Sequence, residues 1–129
     1  MDAVHEFSVK VYPRMVWVTY DASPECLNDL FPEGGTDGKP FTKMDESNYA
    51  EVHTCRRKKP DVKGGVLIRF ASKSAMTADV ITHESTHAAL EIFKYCDIRV
   101  DYLNQEPFAY LAGFIADCID QVRKNKFKD

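Results

Sequence analysis

Two histidines four residues apart, His83 and His87, with Glu84 beside the first, constrain this chain more than any other feature. In a helix of about 3.6 residues per turn, residues four apart share a face about 6 Å apart along the axis, so both imidazoles can point at one ion. Glu84 sits one step round the helix, where its carboxylate can reach a metal-bound water instead of the ion. Hydrolytic zinc needs three protein ligands and an open position, so one more donor must come from elsewhere in the chain. Glu106, at the start of a second helix-like stretch, is the candidate.

Both helices carry patterns that bear on this. His83 and His87 share a stripe with Val80 and Leu90 or Glu91, beside an apolar stripe of Ile81, Ala88, Ile92 and Tyr95 that reads as core. That neighbourhood predicts a half-buried histidine pair, unlike two idle surface histidines on an amphipathic helix. On the second helix Glu106, Tyr110, Gly113 and Asp117 follow one face, with Ala109, Ala112 and Ala116 beside them. Small residues there predict close helix packing that carries Glu106 to the imidazoles.

At 129 residues the chain has room for one domain, residues 1–129, and not two. Its apolar fraction of 44% and charged fraction of 29% are those of an ordinary globular protein. A net charge of −3 gives no general affinity for nucleic acid or anionic membranes. No apolar run nears the ~20 residues that cross a bilayer. The opening twenty residues carry Asp2, Glu6, Lys10 and Arg14, which excludes a signal-peptide core and predicts a cytoplasmic protein. Cys26, Cys55, Cys96 and Cys118 form no C-x-x-C pair, and a reducing compartment makes them free thiols buried as small hydrophobes. A cysteine-ligated second metal is the alternative.

The stretch from Val4 to Tyr20 is β-branched and aromatic, predicting one long strand or two broken at Pro13. Ser23 then caps a short helix with Pro24 in its first turn, ending near Leu30. Residues Phe31 to Asn48 predict a long loop, either a flap over a cleft or a disordered excursion. Strands are predicted from Tyr49 to Arg57 and Val66 to Phe70, with a turn at Lys63, Gly64 and Gly65. Ser72 and Ser74 offer caps for a helix from Ala75 or Thr77 to Tyr95. After a connector from Asp97 to Leu103, Asn104 caps a helix from Gln105 to Arg123 or Lys124. The basic runs at 56–59 and in the tail read as solvated faces. The order of elements is α+β, a small antiparallel or mixed sheet packed on two C-terminal helices.

With 18 residues between His87 and Glu106, the chain resembles the gluzincin metallopeptidases. The run Glu106-Pro107-Phe108-Ala109 resembles the glutamate helix of the small ImmA/IrrE type, and residues 77 to 119 also resemble short metallopeptidase-like chains carried in phage genomes. The resemblance implies a minimal zincin-like fold, Zn2+ on His83, His87 and Glu106, and Glu84 as general base. For a phage chain the cytoplasm would be the host's. Many gluzincins have an acidic residue four positions after the glutamate ligand. Here that position is Tyr110, whose hydroxyl could accept from an imidazole, donate to a developing oxyanion, or merely sit on a packed helix. Asp97, Asp101 and Asp117 are other residues that could orient a histidine.

These readings predict a zinc-dependent peptidase acting on a restricted intracellular protein or peptide target, with Val66 to Phe70 as the strand edge for substrate. The alternative is a module of the same fold that acts by binding a partner, with the metal structural or absent. Hydrolysis of a non-peptide amide is a third reading. His53 could serve the site or replace Glu106, or be an ordinary core or surface histidine, and His5 reads as incidental.

Overall fold

A computed structural model describes residues 3–45 and 47–128. The N-terminal β stretch turns on itself around Pro13. Strands β1 (His5–Val9) and β2 (Arg14–Thr19) pair antiparallel, with Val9 opposite Arg14 and His5 opposite Val18. Strands β3 (Ala50–Arg57) and β4 (Lys63–Phe70) form a second antiparallel pair, and β4 runs parallel to β2. The order β1-β2-β4-β3 makes a four-stranded mixed sheet, and the chain is α+β.

That order corrects the expectation that Val66 to Phe70 offers a free edge. β4 is interior, hydrogen-bonded on both sides, and Val66, Leu67 and Ile68 are fully buried. An unbroken apolar run suits a strand covered on both faces, because alternate residues go into different cores. β3 is the outer strand beside it, and the loop that precedes β3 meets its edge at Thr54, whose N–H donates to Thr36 Oγ1 at 2.9 Å.

Val16, Val18, Val66 and Ile68 point to one face, where they meet Ala88, Ala89, Ile92 and Phe93 of α2 (Ala78–Tyr95) and Leu111, Ile115, Ile119 and Val122 of α3 (Glu106–Lys124). Trp17, Cys55 and Leu67 point to the other, against Leu27 of α1 (Pro24–Leu30), Phe31 and Phe41. The loop after α1 therefore covers a second core with Phe31 and Phe41 and is no disordered excursion, while Ser47 and Asn48 at its end line a cleft with His83. Asn28 fixes it, donating to Phe41 O at 3.0 Å and accepting from Phe41 N at 2.7 Å. A sheet with two apolar faces needs both covered, and this loop brings the aromatic rings that do so.

Helix ends follow local chemistry, with two shifts. Ser23 accepts from Cys26 N at 3.2 Å, as a cap should. Thr77, not Ser72 or Ser74, precedes α2, and the two serine hydroxyls pair with each other at 2.9 Å around a short 3-10 turn at Lys73–Ala75. Gln105 takes the place expected for Asn104. α2 and α3 lie antiparallel: Phe93, near the end of α2, packs edge-on against Phe108, near the start of α3, at 5.5 Å. At the opposite end Met76 and Lys73 share a groove with Arg123 and Lys124.

Of the four cysteines, Cys55 and Cys118 are buried, while Cys26 and Cys96 are half-buried. Burial pushes the Cys55 and Cys118 thiols up to about 12. Since the thiolate is the nucleophile, a disulfide reagent at pH 8 should modify Cys26 and Cys96 in the native protein and reach the other two only on unfolding. Prompt reaction of all four would contradict the packing of both cores.

Candidate functional site

α2 brings His83 and His87 together: their Nε2 atoms are 3.2 Å apart and the rings meet at 72°. Two nitrogens bound tetrahedrally to one zinc at 2.0–2.1 Å would stand about 3.4 Å apart. The pair comes close to that spacing, which is also the length of a direct N–H···N hydrogen bond between the two rings. Glu84 Oε2 lies 3.9 Å from His83 Nε2, and the glutamate is 8% exposed. It lines a cleft of about 380 Å³ with Asp79, Val80 and His83 on one wall and Asn48, Tyr49 and Ala50, at the start of β3, on the other.

The pair is more exposed than its neighbours in sequence suggested. The His83 side chain is 66% exposed, and the buried face of α2 is Glu84, Ser85, Ala88, Ala89, Ile92 and Phe93. The helix is rotated so that Ala88 and Ile92 meet the sheet, which leaves the imidazoles on the outer side and turns Glu84 inward. The carboxylate is the more enclosed of the two functional groups.

Glu106 is not joined to this pair. Among the described residues no three His, Cys, Asp or Glu side chains are grouped as a metal site requires. The separation has two physical causes. Phe108 packs at the level of Phe93, six residues past His87, which is about 9 Å of helix axis. In addition, α3 turns Leu111, Ile115, Cys118, Ile119 and Val122 inward, so that Glu106, Tyr110 and Gly113 lie on its exposed side. A Cβ added at Gly113 would meet nothing within 4 Å, so Gly113 does not form the helix contact, whereas Ala112 packs against the core.

Tyr110, 75% exposed, instead lines a groove between α3 and the turn joining β1 to β2. Asp117 holds Lys128 and Gln121, and Asp101 accepts from the backbone of Leu103. Asp97 ends α2 in a left-handed turn with φ 56°. His53 faces the second core, T-shaped on Phe41 at 5.0 Å, accepting from Thr36 N through Nδ1 and bonded to Glu51 through Nε2. It is a structural histidine, on the sheet face away from α2. His5 stacks on Phe127.

Asp79 was not anticipated at the cleft. Hydrogen bonds from the Thr77 hydroxyl and the Val80 backbone hold its carboxyl below the usual range. Its position four residues before His83 was the signal, since i and i+4 share a helix face. The cleft thus carries two carboxylates beside the His83 imidazole. Comparisons with protein-family models, curated proteins and solved structures return no match for this chain.

Proposed function

We propose that the chain is a zinc-dependent hydrolase of the gluzincin kind, cleaving peptide bonds in a restricted set of targets. The spacing of the two imidazole nitrogens, suited to one tetrahedral ion, carries the reading, and the enclosed carboxylate of Glu84 beside them supports it. His83 and His87 would hold the ion, and Glu106, which stands apart from them in the structure, is the third ligand that the gluzincin resemblance implies. Zinc, when bound, would supply a Lewis acid and lower the pKa of water. Glu84, poised over the cleft, takes a proton from the attacking water and returns it to the leaving amine. The edge of β3, bordering the same cleft at Tyr49 and Ala50, is where an extended peptide would pair.

The intact chain, refolded with zinc and freed of excess by gel filtration, should retain about one ion, as a single site requires. His87→Ala should bring this to background with an unchanged circular dichroism spectrum, and Glu106→Gln should weaken retention. A wild-type chain that holds no zinc ends the proposal. A second reading, a module acting through a partner, draws on one feature: the connector between α2 and α3 exposes Ile98, Val100, Tyr102 and Leu103. Full biological activity in a hydrolytically dead variant would favour it.

A further inference from the structure

Three arginines are buried: Arg14 at 7% exposure, Arg57 at 7% and Arg69 at 6%. Arg57 pairs with Glu6 at 2.8 Å and Arg69 with Glu51 at 3.0 Å. Among the described residues Arg14 has no ion pair. Its Nη2 donates to Gly65 O at a long 3.4 Å and its Nε has no partner. The guanidinium lies 3.8 Å from the centre of the Tyr95 ring. That contact offsets part of the cost of burying a cation but uses none of its five N–H donors. Room for the group is made by Gly64, where a Cβ would collide with Nη1.

The space beside Arg14 is a pocket of about 250 Å³, bounded by Tyr95 at the end of α2, Thr54 and Arg56 at the end of β3, and Gly34 and Gly35 of the covering loop. Glu33 also lines it, but its carboxylate is held by Lys58 Nζ at 2.6 Å. Glu91, one turn before Tyr95, accepts from the Thr54 hydroxyl at 3.3 Å. Two guanidinium groups with no ion pair among the described residues therefore border a small, half-open space, although Arg56 also acts on the Glu33 carboxylate at its rim. We propose that this pocket binds a small oxyanion, a carboxylate or phosphate group, between the guanidinium groups of Arg14 and Arg56. A planar guanidinium matches two oxygens of such a group at once. The volume is below the roughly 300 Å³ at which ordinary ligand pockets begin, so the ligand is a compact anion. The site is remote in chemistry from the histidine pair and does not depend on it.

Sodium phosphate and sodium acetate, each titrated into the intact 15N-labelled protein against sodium chloride at matched ionic strength, test this. Saturable shifts centred on the amides of Gly34, Gly35, Thr54 and Tyr95, with either anion, support it. Arg14→Met should weaken that binding by about tenfold or more, the effect of losing a charge-assisted hydrogen bond. Should that variant not fold, Arg56→Gln, at an exposed position, should weaken it several-fold. His87→Ala should leave it unchanged. Shifts equal to those in chloride, or spread over the surface lysines, overturn the proposal.

Discussion

Glu84→Gln is expected to reduce hydrolysis by about 10²- to 10⁴-fold, the usual contribution of a positioned general base, while zinc content and fold stay as in the wild type. The amide has nearly the same shape as the carboxylate and fits the same enclosed position, 8% exposed beside His83. It cannot accept a proton from water at neutral pH. Losing a buried negative charge removes a desolvation cost, so the variant should be no less stable. The readout is a comparison of new protein N-termini in cells expressing wild type or variant, with zinc measured on both proteins. Cleavage products that persist at wild-type levels would remove Glu84 from the chemistry, whereas a variant that loses zinc would show that the carboxylate acts as a ligand.

Trp17→Ala should cost about 3–5 kcal/mol, a large share of the roughly 5–15 kcal/mol that holds a domain folded. Trp17 is 1% exposed, meets Phe31 at 4.9 Å, and donates from Nε1 to Glu6 at 2.7 Å. Removing it leaves a cavity between β2 and the covering loop. It also frees one partner of a glutamate that holds the buried Arg57. Urea denaturation should show the lower midpoint, and limited proteolysis should begin to cut between residues 31 and 45. A loss below about 1 kcal/mol, typical of surface positions, would mean that the loop side is not a core at all.

The exposed site and the second core were unequally legible. His83, Glu84 and His87 could be placed on one helix from their spacing alone, and the end of α1 at Leu30 and of α3 at Lys124 followed from local residue chemistry. Asp79 was overlooked although the same i, i+4 rule reaches it. The burial of Glu84 in preference to its histidine neighbours was not legible, because one step round a helix is decided by what the helix packs against. Phe31 and Phe41 were read as parts of an open loop because Gly34, Gly35, Gly38 and Pro40 surround them. Turn-forming residues report backbone geometry and carry no information about which rings fill a distant sheet face.

Alone, the sequence determined what depends on near neighbours: the β-rich first half, two long C-terminal helices, their approximate ends, and the imidazole pair with its adjoining carboxylate. These are set by backbone propensity, capping and periodicity within a turn or two of chain. Tertiary structure decided the placing of β4 between β2 and β3, the use of the 31–45 segment as a lid on Trp17 and Leu67, and the outward face of Glu106 and Tyr110. Each is a long-range choice, made by covering the greatest apolar area on both sides of one sheet, and the helices turn to suit that covering before any ligand is satisfied.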